Sequence, residues 1–322
     1  MKTFVTGGTG FVGSHLVETL LERGHDVTSL VRKDSGWLNG RAVTTVQGDL
    51  FDVEALAEGM RGAEIVYHVA GLTRAPSRTA LDRTNVDGTL NVLQAARNAG
   101  VERALVTSSL AAVGPSGDGA LDEGAPLNPI SNYGRSKAEM ERMVRELDSG
   151  PPVVIVRPPA VYGPREADFF TLIRAASKQR VLPVIGDGNE PRVDLVYISD
   201  LVDGMIAAAE ADKAGGQTYF LSGPRGYSDD EIRRAILDAL GHGAININVP
   251  PAFVDAVGAV SEEIGKLFGK YPLLNREKAR EASSVWLVSS ERAKSDFGYS
   301  PEVSLEEGMR RTVAWYRENG WL

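Results

Sequence analysis

The sequence predicts an α/β fold: a doubly wound parallel sheet with a smaller, mostly helical C-terminal lobe. Three observations predict it. Short β-branched runs alternate with apolar residues at helical spacing as far as Gly163. A glycine cluster stands between the first such run and the first helical pattern. Beyond Gly163 prolines and glycines crowd the chain and the alternation lapses. A strand followed by a helix and another strand returns the chain to the same end of the sheet, so the strands run parallel and helices cover both faces.

The strand candidates, in order, are Thr3–Thr6, Val27–Val31, Val43–Gln47, Glu64–Val69, Ala104–Thr107 and Val153–Val156. Between them lie helical patterns such as Val12, Leu16, Leu20 and Leu21, then Leu90, Val92, Leu93 and Ala96. Breakers follow at Gly163–Pro164, Pro183, Gly186–Gly188 and Pro191. A strand at Val193–Tyr197, a helix at Ser199–Glu210 and a strand at Thr218–Leu221 then bring the chain back. Two capping boxes, Ser228 with Glu231 and Ser304 with Glu307, mark helix starts in the last third. The expected division is therefore 1–165, with 192–222 returning to it, for the sheet domain. Residues 166–191 and 223–322 form the second lobe, and a substrate belongs in the crevice between the two.

Composition removes several classes of chemistry. With no cysteine among 322 residues there are no disulfides, thiol nucleophiles or thiolate-bound metals. The four histidines, His15, His25, His68 and His242, lack metal-ligand spacing, so no metal site is expected. A net charge of −8 offers no field for a polyanion, so nucleic acid is not an expected partner. The N-terminal apolar stretch is broken at once by glycine, which is no secretory signal. The most apolar later stretch, Phe253–Phe268, carries Asp255, Glu262, Glu263 and Lys266 and reads as an amphipathic helix. A soluble, cytoplasmic protein without a membrane partner is expected.

Thr6–Gly13 reads TGGTGFVG, directly after a strand and before a helix. Gly8, Gly10 and Gly13 satisfy G-x-G-x-x-G, and Gly7, Gly10 and Gly13 the related G-x-x-G-x-x-G. Glycine is needed there because a side chain would keep a pyrophosphate from the backbone N–H groups at the helix N-terminus. This is the fingerprint of a Rossmann dinucleotide site, with contacts expected from Gly7, Thr9, Gly10, Phe11, Val12 and Gly13. An NAD enzyme places an acid at the end of the second strand to bond the ribose 2′-hydroxyl. Here Val31 is followed by Arg32 and Lys33, which favour the 2′-phosphate of NADP, with NAD still possible. Asp49, beside Leu50 after the third strand, is placed to bond the adenine amino group, and Val69, Ala70 and Gly71 let the cofactor approach after the fourth.

Tyr133 and Lys137 occur as YGRSK at the start of a helical pattern reaching Leu147, one turn apart on one face. A tyrosine titrating near 10 is a poor acid–base catalyst at neutral pH, and a neighbouring ammonium is expected to bring it down. Ser108 and Ser109 end the fifth strand, at the edge of a doubly wound sheet that faces the cofactor.

Together with GDL, HVAG, Asn85 in RTNVDGT, RPPAVYGP at Arg157–Pro164 and VDLVYISDL at Val193–Leu201, these motifs run in order along nearly the whole chain. The sequence resembles the extended branch of the short-chain dehydrogenase/reductase superfamily, the NAD-dependent epimerase/dehydratase family. The resemblance implies a catalytic triad of Ser109, Tyr133 and Lys137, with Tyr133 the acid–base and Ser109 orienting the substrate. It implies that Lys137 also bonds the nicotinamide ribose, that Thr107 lies on the cofactor, and that the backbone of Pro158, Ala160 and Val161 borders the nicotinamide. Asn85 is structural or part of a proton relay. Thr73 and Leu110 join Ser109 and Tyr133 at the substrate, in a pocket built by the Leu72–Arg78 loop, the residues after Ser109 and the C-terminal lobe. Homodimerisation through the Asp87–Ala99 and Tyr133–Leu147 helices is implied by the resemblance alone. Phe169, Phe170 and Trp286 suit either the core or a ligand.

Within that branch, Val31, Ala160 and Val113 depart from the nucleotide-sugar epimerases, and Thr107-Ser108-Ser109 lacks the carboxylates that a sugar-nucleotide dehydratase needs. The pattern is closer to the dihydroflavonol reductases and 3β-hydroxysteroid dehydrogenases. The leading expectation is NADPH-dependent reduction of a ketone or aldehyde, reversible as alcohol dehydrogenation, with Tyr133 protonating the oxygen. A nucleotide-sugar epimerase on tightly bound NAD is the alternative, with Arg192 gripping the diphosphate. A non-catalytic NADP sensor is the third reading, disfavoured because Tyr133 and Lys137 are both intact.

Overall fold

A computed structural model describes residues 1–117, 119–185, 192–249 and 276–322. In chain order its first half runs β1 (Lys2–Thr6), α1 (Phe11–Glu22), β2 (Asp26–Val31), β3 (Thr44–Gln47), α2 (Val53–Gly59), β4 (Ile65–His68), α3 (Arg78–Asp82), α4 (Gly88–Asn98), β5 (Arg103–Thr107) and α5 (Asn132–Arg145). Then come β6 (Val153–Arg157), β7 (Ala160–Tyr162), α6 (Ala167–Arg174), β8 (Val181–Ile185), β9 (Val193–Tyr197), α7 (Ile198–Glu210), β10 (Thr218–Phe220), β11 (Gly226–Tyr227), α8 (Asp229–Leu240) and β12 (Ile245–Val249). The last described elements are α9 (Arg276–Ser283), α10 (Glu291–Phe297) and α11 (Leu305–Glu318).

Seven strands form one parallel sheet in the order β10-β6-β5-β4-β1-β2-β3. Chain direction across the sheet reverses between β1 and β4, which opens a crevice outside the carboxyl ends of those strands. Neighbouring residues of β1 enter opposite cores. Val5 packs with Leu16, Val17 and Leu20 of α1 and with Leu201 and Met205 of α7, whereas Phe4 packs with Leu56 of α2, Val92 and Leu93 of α4 and Met140 of α5. Both faces of the sheet are thus covered, as the alternation of the sequence requires.

The expected strands are all present, with ends shifted by one residue at most positions. Two expectations need correction, and a third cannot be placed. Of the 192–222 stretch, only β10 joins the large sheet, beside β6; β9 instead pairs with β7 and β11 in a separate three-stranded sheet. Local alternation marks a strand but not its partner. Ser228 and Glu231 form a reciprocal capping box, but at Ser304 only half of one exists. Ser304 Oγ accepts from Glu307 N, while the Glu307 carboxylate turns to Arg310 and Arg311. The helix expected at Phe253–Phe268 lies outside the described residues. Among the described residues no helix is long and apolar enough to cross a membrane.

The aromatic residues left open between core and ligand are core. Phe170 packs edge-on against Tyr316 and Trp321, and Phe169 lies tilted against Tyr162. Trp286 donates from Nε1 to the Glu281 carbonyl at 2.7 Å and packs in a small cluster with Leu110, Val113 and Val288.

Candidate active site

The glycine turn leaves β1 with Gly7 at φ +77°, in the left-handed region that glycine tolerates. Gly10 caps α1, and no capping side chain accepts from the first N–H groups of the helix. A Cβ on Gly7 would stand 2.6 Å from Ala70 N, and one on Gly13 would stand 2.1 Å from Gly7 O. The turn is therefore pressed against the end of β4 and against its own helix, forming a cradle that only glycine leaves open. These residues fit a dinucleotide pyrophosphate. Gly13→Ala forces the turn off the helix at a cost of about 1–3 kcal/mol. It is expected to weaken NADP binding at least about tenfold and to lower Tm, measured by calorimetric titration and thermal unfolding; unchanged affinity would show that the turn holds nothing.

At the end of β2, Arg32 and Lys33 are exposed and line a cleft of about 640 Å³ with Gln47, Gly48, Asp49, Phe51 and Asp52. Gln47 Nε2 donates to the Arg32 carbonyl at 2.7 Å and so holds the fork of the two loops. Asp49 Oδ1 accepts from Phe51 N at 2.8 Å, which fixes the carboxylate at the cleft edge. Leu50 is buried against Gly88, so its side chain serves packing and is not part of the cleft lining.

Across the crevice, α5 carries Tyr133, Lys137, Glu141 and Arg145 at successive turns of one face. Its N-terminus is set by Ser131, whose hydroxyl accepts from Gly134 N at 3.2 Å. A Cβ on Gly134 would lie 2.3 Å from the Ala111 carbonyl, so glycine lets the helix press against the turn that follows Ser109. That contact brings the Tyr133 phenol to the Ser109 hydroxyl, which hydrogen-bonds it. Ser109 Oγ also accepts from Ala111 N at 3.1 Å. One turn on, Lys137 Nζ donates to the Thr107 carbonyl at 2.7 Å. Ser108, the other serine of the pair, is buried and donates to Glu141 Oε1 at 2.6 Å, which leaves Ser109 as the serine that faces the phenol.

The electrostatics differ from the expectation. Tyr133 is pushed up to about 12 by burial, against which the Ser109 hydrogen bond works and to which the nearby Glu281 carboxylate adds. Lys137 is pulled down to about 8 by burial, opposed by Glu141. Loss of water around the phenol outweighs the Ser109 hydrogen bond, so the phenol holds its proton at neutral pH. His68 is buried between the Thr6 and Thr89 hydroxyls at 2.7 and 2.9 Å and is pulled down to about 3 by burial.

The loop after β4 closes the crevice. Asn85 is buried; its amide donates to the Leu72 carbonyl and to Ser136 Oγ, and its oxygen accepts from Leu72 N, all at 2.8–2.9 Å. It therefore fixes the loop rather than reaching a substrate. Gly71 and Thr73 are exposed on that loop. Pro158 is tied to the serine turn, its carbonyl accepting from Leu110 N at 2.9 Å, and the chain continues past it to Ala160, exposed, and Val161, half-buried. Leu110 itself is buried in the cluster around Trp286. Arg192 is used differently from the expectation: its Nη2 donates to the Ser283 carbonyl at 2.5 Å, fastening β9 to the end of α9.

The structure adds residues that the motifs left unassigned. Glu277 of α9 accepts from Asn132 N with both oxygens at 3.1 Å, so a helix of the C-terminal lobe docks on the N-terminus of α5. Glu281, one turn further, faces Tyr133 closely enough to raise it. Their distance of some 140 residues from Tyr133 in sequence hides this pairing. Glu141 was visible as the third member of an i, i+4, i+8 series with Tyr133 and Lys137, but nothing in the spacing says what it binds.

A parallel Rossmann sheet with a glycine turn at its switch point and a Ser–Tyr–Lys grouping facing it defines an NAD(P)-dependent oxidoreductase of the extended short-chain dehydrogenase/reductase type. The chain belongs to the NAD dependent epimerase/dehydratase family, whose profile matches residues 3–221. It is similar to a ceramide reductase of Caulobacter vibrioides, 34% identical across 99% of this chain and 95% of that one. It is also similar to a 2-alkyl-3-oxoalkanoate reductase of Stenotrophomonas maltophilia, 31% identical across 98% and 99%. Among solved structures, the dTDP-glucose 4,6-dehydratase DesIV of Streptomyces venezuelae, with NAD bound, superposes with a TM-score of 0.80 at 27% identity, covering 100% of this chain and 98% of that one.

Proposed function

We propose that this enzyme reduces the carbonyl of a ketone or aldehyde with NADPH, Tyr133 donating the proton that the oxygen takes up. The observation that carries the reading is the convergence of Ser109, Tyr133 and Lys137 at the crevice, with the phenol protonated at neutral pH. The glycine turn, Asp49 and the cations Arg32 and Lys33 would hold the dinucleotide, which supplies the hydride when bound. Ser109 orients the carbonyl oxygen toward the phenol, and its hydroxyl stabilises the phenolate that remains after proton transfer. The Lys137 ammonium adds a positive charge near that phenolate and shares its remaining N–H groups with the cofactor ribose.

Relatives named for the reduction of ceramide and of a 3-oxoalkanoate support a ketone substrate. The epimerase alternative needs a cation for a sugar diphosphate, and Arg192 is engaged with Ser283. A screen of NADPH and NADH oxidation against ketones, aldehydes and UDP-sugars tests the reading. Consumption of NADPH with a ketone or aldehyde supports it; conversion of a UDP-sugar to its epimer on retained NAD, with no net consumption, would replace it.

The coenzyme preference has its own test. Arg32→Ala with Lys33→Ala removes two exposed cations from the cleft, and charge-assisted bonds to phosphate lose about 1.5–3 kcal/mol each when fully formed. At this exposure KM for NADPH is expected to rise about tenfold or more while KM for NADH stays level. An equal rise for both coenzymes would mean that the pair does not read the 2′-phosphate.

A further inference from the structure

Glu141 is the most deeply placed charge on α5, with no exposed side-chain surface. Four bonds converge on it. Arg157 donates from Nε to Oε1 at 2.9 Å and from Nη2 to Oε2 at 2.7 Å; Arg145 donates to Oε2 at 2.7 Å, and Ser108 to Oε1 at 2.6 Å. Arg157 is as buried as its partner, its guanidinium lies 5.4 Å from the centre of the Phe220 ring, and its Nη1 has no hydrogen-bond partner among the described residues. Taking both ions out of water costs several kcal/mol per ion, and well-packed apolar side chains of similar size stabilise a core at least as well. The pair therefore calls for a use beyond holding the fold together.

Its position supplies one. The end of β5 is fastened to α5 at three consecutive residues: Thr107 through its carbonyl to Lys137, Ser108 through its hydroxyl to Glu141, and Ser109 to Tyr133. We propose that Glu141, held by Arg157, is a positioning residue for the reaction: it locks the strand-end serines against α5 and keeps the adjacent Lys137 in its ammonium form. The inference rests on the reading of Tyr133 and Lys137 given above.

The surroundings of Lys137 show why Glu141 matters to it. From its own helix Lys137 has Tyr133 one turn before and Glu141 one turn after; β5 offers the Thr107 carbonyl, and β4 offers His68, held neutral by burial. The position a Cβ on Gly71 would take lies 3.2 Å from Asn85 Oδ1 and 3.3 Å from Lys137 Nζ, so the neutral Asn85 amide completes the ring of neighbours. Beyond Glu141 stand Arg157 and Arg145, which share its charge. Glu141 is thus the anion that opposes the burial of the Lys137 ammonium.

The test follows the lysine directly. Protein labelled with ¹³C at lysine Cε is titrated by NMR as wild type, as Glu141→Gln and as Glu141→Gln with Arg157→Met, with Lys137 assigned by the loss of its signal in Lys137→Met. The double variant removes both buried charges together and so remains foldable where the single one leaves Arg157 unpaired. In either variant that folds, the Lys137 midpoint is expected to fall by about one unit, and the alkaline limb of kcat for carbonyl reduction to move down with it. At pH 8 that amounts to about a fivefold loss of the ammonium form. An unchanged Lys137 midpoint, or a loss of kcat equal at every pH, would overturn the proposal. Wild-type protein that reduces no carbonyl would fail the reading above instead, while the lysine titration would still decide what Glu141 does.

Discussion

Tyr133→Phe is expected to lower turnover in carbonyl reduction by about 10²–10⁴-fold, the usual worth of a positioned proton donor, while NADPH still binds. The change removes one oxygen and keeps the ring, so the packing of α5 against the turn after Ser109 survives. What disappears is the proton. Burial pushes the Tyr133 phenol up to about 12, so the wild-type group is protonated throughout the neutral range and no alkaline limb below about pH 10 is expected from it. Steady-state kinetics with NADPH binding measured in parallel separates the cases: lost turnover with retained binding supports the role, and near-wild-type turnover refutes it.

Lys137→Met is expected to cost a similar factor, through a different route. Its ammonium is buried, donates to the Thr107 carbonyl and lies one helical turn from Glu141, so methionine removes that bond to the carbonyl and leaves Glu141 to Arg157 and Arg145. Both kcat and the affinity for the coenzyme are expected to fall, because in the proposed role the lysine serves the phenolate and the ribose together. The pH dependence carries the same residue's mark. Lys137 is pulled down to about 8, so its charge is fully present well below pH 8 and is lost as pH rises through that value. Wild-type kcat should therefore decline above about pH 8, and this limb should be missing from the residual activity of Lys137→Met. A flat profile through pH 9 in the wild type would remove the ammonium from the account.

Which parts of this site can be read from sequence follows from how local each constraint is. The glycine turn is legible because part of its crowding is local: a Cβ on Gly13 would meet the Gly7 carbonyl six residues back, whereas the crowding of Gly7 against Ala70 needs the fold. The Tyr133–Lys137 pair is legible because helical spacing alone puts the two on one face. The direction in which Tyr133 shifts is not, since a sequence shows the cation one turn away but neither the burial of the phenol nor the approach of Glu281. Arg192 reads as a free cation until the fold brings Ser283, 91 residues on, to its guanidinium. The strand at Val193–Tyr197 is visible from its residues, yet its partners β7 and β11 are set by packing of the second lobe. Glu141 and Arg157 lie only 16 residues apart, but their pairing needs β6 beside β5 and α5 across both.

The central claim is that the Tyr133 hydroxyl is the group that meets the substrate oxygen. A crystal structure with NADP⁺ and a ketone or its alcohol bound tests it most directly. The account predicts the substrate oxygen within about 3.2 Å of both the Tyr133 and Ser109 hydroxyls, with the reacting carbon facing the nicotinamide ring. A substrate oxygen bound elsewhere, with the phenol turned from the ring, would contradict it.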